Sequence, residues 1–139
     1  MKIEATVWSK ICFKKYDKVR EILKENKIDP GYMESGKTIL HLIAETTEVD
    51  IAKMLLDMGV DVDIRDAWGN TPLFKALNKF GQDEFKDDTM IRLLLEYGAK
   101  RDTVNNYDKG VAEYLGMLKR VITKRAPEKL EKLDWLNIE

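Results

Sequence analysis

The chain has 139 residues, enough for one compact domain with a substantial core and too few for two ordinary ones. Hydrophobic residues make up 44% and charged residues 35%, which excludes global disorder and leaves a well-solvated surface. Lys and Arg number 24 against 25 Asp and Glu, a net charge of −1, without the positive excess that nucleic acid or an anionic membrane rewards, so neither is expected as a partner.

The first residues, 1–8, hold no apolar run that would serve as a secretion signal, and no stretch approaches the roughly 18 apolar residues of a membrane span. One cysteine, Cys12, excludes an internal disulfide, and with one histidine, His41, leaves too few soft ligands for structural zinc. The expected compartment is reducing cytoplasm, and no metal or cofactor is expected.

In chain order, Val19, Ile22 and Leu23 form a first apolar stripe at helical spacing. Ile51, Met54, Leu55 and Met58 form a second, and Met90, Ile91, Leu94 and Leu95 a third, each on a short amphipathic segment. No run of β-branched and aromatic residues bounded by turns supplies a central sheet, so the expected class is all-α.

The helices recur. Gly36-Lys37-Thr38-Ile39-Leu40-His41 superimposes on Gly69-Asn70-Thr71-Pro72-Leu73-Phe74 at a spacing of 33 residues, and a fixed period of this size marks a repeat architecture. An outer helix follows each, ending Leu55-Leu56-Asp57-Met58-Gly59-Val60 in one copy and Leu94-Leu95-Glu96-Tyr97-Gly98-Ala99 in the next.

This pattern resembles the ankyrin repeat family: a glycine turn, T-P-L-H opening an inner helix, an outer helix with paired leucines, then G-A and an Asp/Asn-rich finger. Residues 69–99 fit closely, and residues 36–66 fit with Ile39 where the family has proline. Residues 7–26 look like a degenerate opening repeat. Asp108-Lys109-Gly110 opens a fourth, 41 residues on from Gly69 when the two glycines are matched, with six extra residues between the helices of the third repeat and two in the finger near Asn105. The resemblance implies a solenoid of about four helix-turn-helix repeats with short finger loops, divided at residues 1–35, 36–68, 69–109 and 110–139, the outermost two acting as caps. Lys10, Lys14, Lys15 and Lys18 suit a polar first cap, and Pro127 with Glu128 opens a final helix that turns Leu130, Leu133 and Leu136 inward.

A second motif competes. Gly31-Tyr32-Met33-Glu34-Ser35-Gly36-Lys37-Thr38 satisfies the nucleotide-binding pattern G-x-x-x-x-G-K-[ST] in full, in which backbone N–H groups and the lysine hold phosphates and the hydroxyl holds magnesium. That chemistry needs a buried strand just upstream, whereas the residues there are charged and end in Pro30. A P-loop enzyme is therefore the alternative reading and a repeat turn the preferred one.

His41 falls at the family's T-P-L-H histidine, which implies a structural hydrogen-bonding role between repeats rather than a ligand or base. Cys12 reads as a small apolar filler whose 33-residue counterpart is Glu45. The acidic insert at residues 83–88 lacks the alternating ligands and central glycine of a calcium loop and reads as solvated.

What remains is a surface. The resemblance implies a non-catalytic module, monomeric when unbound, that binds another protein through its concave face and finger loops. Carried onto this chain, the implied partner-binding positions are Tyr32, Glu34 and Lys37 in one finger and Arg65, Trp68 and Asn70 in the next. Asn106 and Asp108 hold the third, with Glu45 and Asn78 on the inner helices. Ordinary solvation suffices for Lys37, Asn70 and Asn106. Trp68 is expected to project away from the stack as the aromatic anchor. Small size points to the subclass of compact bacterial members that neutralise toxins or act as effectors, and a general scaffold is not separable from it by sequence.

Overall fold

The structure, a computed structural model, describes residues 2–136. Helix pairs follow one another: α1 (Ile3–Cys12) with α2 (Tyr16–Glu25), α3 (Ile39–Ala44) with α4 (Val49–Asp57), and α5 (Pro72–Gln82) with α6 (Thr89–Glu96). A longer helix, α7 (Val111–Arg125), and two 3-10 helices, Pro127–Lys132 and Asp134–Leu136, complete the described chain. Inner helices α1, α3, α5 and α7 pack in sequence order, and outer helices α2, α4 and α6 do the same, which makes an all-α solenoid. The strands β1 (Met33–Glu34) and β2 (Lys37–Thr38) form a two-residue antiparallel hairpin inside the first finger.

The stack is held by apolar side chains shared between neighbouring repeats. Ile43, Ile51, Leu55, Leu73, Leu77, Ile91, Leu94 and Ile122 are completely or almost completely buried, each contributing on the order of 2 kcal/mol by removal from water. Two outer helices stop in the same way. Val60 N–H donates to the Leu55 carbonyl (3.3 Å) and Gly59 N–H to Leu56 (3.0 Å), while Ala99 donates to Leu94 and Gly98 to Leu95 (both 3.0 Å). This double bond pattern satisfies the orphan carbonyls at the helix end and directs the chain into the finger.

Three sequence expectations are corrected. First, the finger after α6 opens on Asp108 rather than Gly110: Asp108 (φ 59°) occupies the left-handed position that Gly69 (φ 80°) holds one repeat earlier, whereas Gly110 has φ −106°. Asn105 N–H donates to the Lys109 carbonyl (2.9 Å) as Asp66 N–H donates to Asn70 (3.0 Å), so the fingers have equal length. The spacing is therefore 39 residues, from position 69 to position 108, and all the extra residues lie between α5 and α6.

Second, those residues are not simply solvated. Phe85 packs on Phe80 with ring centroids 5.6 Å apart, and Phe80 meets Trp135 edge-on at 5.2 Å. Asp88 accepts a bond from Trp135 Nε1 (2.7 Å), and Lys129 Nζ donates to the carbonyls of Glu84 and Phe85 (3.3 and 3.2 Å). Third, the final helix is two 3-10 turns. Leu133, Trp135 and Leu136 are buried against α7 while Leu130 is half-buried.

Candidate functional site

The fingers are joined to one another by backbone bonds. Ala67 N–H donates to the Gly36 carbonyl (2.8 Å) and Asn106 N–H to the Trp68 carbonyl (2.9 Å). Within the second finger Asp66 Oδ1 accepts from Trp68 N–H and Asn70 N–H, both at 2.9 Å. In the third, Asn105 Oδ1 accepts from Tyr107 N–H (2.9 Å) and Lys109 N–H (3.0 Å). A short acceptor side chain that bridges its own turn in this manner fixes the finger without help from the core.

The single histidine closes the joint between repeats. His41 is fully buried, with Nε2 2.6 Å from the Asn70 carbonyl oxygen and Nδ1 2.6 Å from Thr38 Oγ1. A carbonyl only accepts, so Nε2 carries the proton; Thr38 Oγ1 accepts from His41 N–H (3.2 Å) and donates its own proton to Nδ1. Burial lowers the imidazole pKa, the Asn70 carbonyl opposing it. All its nitrogens are used by the fold, so the ring is not offered as a base or ligand.

The nucleotide-binding alternative fails on geometry. Gly31 and Tyr32 lead into the β1–β2 hairpin, whose turn at Ser35 (φ 51°) and Gly36 (φ 79°) replaces a phosphate cradle. Among the described residues no strand precedes Pro30, and the Thr38 hydroxyl is committed to His41.

The sequence-selected surface residues divide into three groups. Asn70 is only 9% exposed; its carbonyl holds His41 and its Oδ1 accepts from Asn105 Nδ2 (2.8 Å), so it ties fingers together and is corrected from surface contact to internal strut. Trp68 does not project away. A Cβ built on Gly36 would stand 2.8 and 2.9 Å from its ring carbons, so the indole lies against the preceding finger and keeps 37% of its surface exposed. Arg65 is exposed, yet Nη1 donates to the carbonyls of Gly69 (2.9 Å) and Val104 (2.6 Å).

The others stay at the surface. Tyr32 hydroxyl donates to Glu34, which pushes its pKa up to about 12, and Lys37 stands opposite Glu34 in the hairpin. Glu45 caps α3 with Lys75 Nζ 3.7 Å away, and Asn78 Oδ1 accepts from the Tyr114 hydroxyl (3.2 Å). Asn106 Nδ2 donates to Ala67 (3.2 Å), and Asp108 is exposed. Cys12 is exposed, and partial burial with the nearby Glu34 charge raises its thiol pKa.

The residue that the sequence reading passed over is Tyr107. It occupies the register of Trp68 one finger on, but the residue is 64% exposed, and Val104 beside it is 46% exposed. The 39-residue register, had the finger been opened at Asp108, would have aligned the two aromatics.

Stacked helix pairs joined by hydrogen-bonded fingers, with their one histidine spent on packing, define a repeat solenoid. Residues 9–108 match the family model described as ankyrin repeats (3 copies), and the chain belongs to the ankyrin repeat family. It is similar to an ankyrin repeat protein of fowlpox virus (strain NVSL), 30% identical over 111 residues, covering 78% of this chain and 16% of that protein. It is also similar to protein phosphatase 1 regulatory subunit 12A of Mus musculus, 31% identical over 111 residues, with 76% and 10% covered. An ankyrin repeat protein of Rickettsia bellii is 33% identical over 90 residues, with 63% and 35% covered. The chain thus spans between 10% and 35% of the length of these relatives. Ankyrin repeats are generally protein–protein interaction modules, and no described helix is long and apolar enough to cross a membrane.

Proposed function

We propose that this chain is a non-catalytic module that binds a partner protein through its fingers and concave face, acting as a monomer until bound and in a reducing compartment. The observation that carries it is the third finger, where Tyr107 and Val104 present large exposed apolar surface. A large exposed aromatic on a rigid turn is an economical anchor for a partner. Around it, Arg65, Trp68, Asn106 and Asp108 supply the neighbouring contacts, with Tyr32, Glu34 and Lys37 on the first finger and Glu45 and Asn78 on the inner helices. Trp68 acts from its position against Gly36, as a flat half-exposed ring rather than a projecting one.

The test begins with affinity capture from native lysate on immobilised protein and purification of the captured partner. Calorimetric titration follows, against wild type and against Tyr107→Ala. A loss of tenfold or more in affinity, about 1.4 kcal/mol, with an unchanged melting temperature supports the reading. An affinity unaltered by Tyr107→Ala and by Asn78→Ala together overturns it.

A further inference from the structure

An open groove of about 690 Å³ runs along α7. The half-buried rings of Phe74 and Tyr114, 5.5 Å apart, and the exposed Met117 give its apolar lining, with Lys109, Glu113 and Arg120 around them. The strip continues to the third finger, because Val104 Cγ2 comes within 3.7 Å of where a Cβ on Gly110 would stand.

Charge selects the occupant. On α5, Lys75 lies near Glu45 and Asp66 (3.7 and 3.9 Å), and Lys79 near Asp83 (3.5 Å). Lys109, Lys119, Arg120 and Lys124 have no carboxylate within 4.0 Å among the described residues. Glu113, the one carboxylate in the lining, folds back toward Gly110, its Oε1 3.4 Å from the Cβ position there. At the first turn of α7 a negative charge complements the helix dipole and is partly spent.

Gly116 points the same way. A helix interior disfavours glycine, and a Cβ at this position would meet nothing nearer than Arg120 Nη1 at 3.6 Å. Packing does not ask for glycine here. The space above it is open, and a second open site lined by Gly116, Lys119, Arg120, Thr123 and Lys124 continues the groove.

We propose that this groove seats an acidic segment of the partner protein, with an aliphatic or aromatic side chain among Phe74, Tyr114 and Met117 and flanking carboxylates on Arg120, Lys109 and Lys119. The inference rests on the reading of the concave face as a protein-binding surface and adds the chemistry of what is bound.

Selection of phage-displayed random short peptides on the full chain tests it, followed by fluorescence titration of the enriched peptides. Enriched sequences should carry Asp and Glu around an apolar residue and weaken as salt is raised. Met117→Glu, Arg120→Glu and Gly116→Leu should each lower their affinity about tenfold or more, with melting temperatures confirming that each variant is folded. Peptides without acidic bias, peptides indifferent to Arg120→Glu, or no enrichment would overturn the proposal. Binders lost only on Glu45→Ala would overturn the groove while leaving the concave-face reading intact. A concentration-dependent dimer abolished by Met117→Glu would also overturn it, since a second copy would then be the occupant.

Discussion

His41 Nε2 lies 2.6 Å from the carbonyl oxygen of Asn70, 29 residues further along the chain. One ring thereby fastens the inner helix of a repeat to the finger of the next. Replacing His41 with alanine takes one of its two donors from the buried Asn70 carbonyl, which keeps Asp66 N–H, removes the acceptor of the Thr38 hydroxyl proton and opens a cavity. The expected cost is about 2–4 kcal/mol, read as a lower urea midpoint. A midpoint within error of wild type would remove the histidine from the joint.

The same residue sets a pH dependence. Burial holds the folded pKa of His41 below its ordinary value, which is about 6.5 in the unfolded chain. The unfolded state therefore binds more protons below that pH, and the contribution of His41 is complete above about 6.5 and lost as pH falls below it. Since His41 is the only histidine, His41→Phe should flatten the fall in stability between about pH 7 and pH 5.5. A variant with the wild-type slope would assign the dependence to the carboxylates.

Trp68 and Gly36 form a reciprocal pair. Trp68→Ala should lower stability by about 1–2 kcal/mol by removing the ring from the hairpin. Gly36→Val should cost about 1–3 kcal/mol from the positive φ, and more from collision with the indole. The two changes should be less than additive, because each removes the same contact; simple additivity in chemical denaturation would show that the ring does not rest on the turn.

Trp135 anchors the second 3-10 helix through Phe80 and through its bond to Asp88. Trp135→Ala should destabilise by about 3–5 kcal/mol and expose Phe80. Hydrogen exchange should then rise in residues 83–88 together with residues 127–136. Faster exchange confined to one of the two segments would contradict their mutual docking.

Magnesium with ATP or GTP should leave the melting temperature unchanged, since only a ligand that binds the native state stabilises it. A saturable rise abolished by Lys37→Ala would restore the phosphate site.

The 33-residue register of the two middle repeats, the helical class and the apolar faces of the helices were determined by sequence alone, whereas the register of the last finger was not. Apolar spacing on α4 and α6 and the terminal glycines Gly59 and Gly98 are local properties, and a short helix with one apolar stripe has few ways to bury it. Even the role of His41 was implied, through the resemblance to the family's T-P-L-H motif. The finger surfaces were decided by tertiary structure. Trp68 and Tyr107 share a register, yet one ring has Gly36 beneath it and the other stands free; Asn70 looks polar and exposed until Asn105 and His41 close over it. The insert at residues 83–88 reads as wholly solvated because Trp135, which docks on it through Asp88, lies 47 residues further along the chain. Periodicity reports which face of a helix is apolar. Whether a finger side chain is covered depends on how closely the next finger approaches in space, a distance that stacking sets and no local pattern encodes.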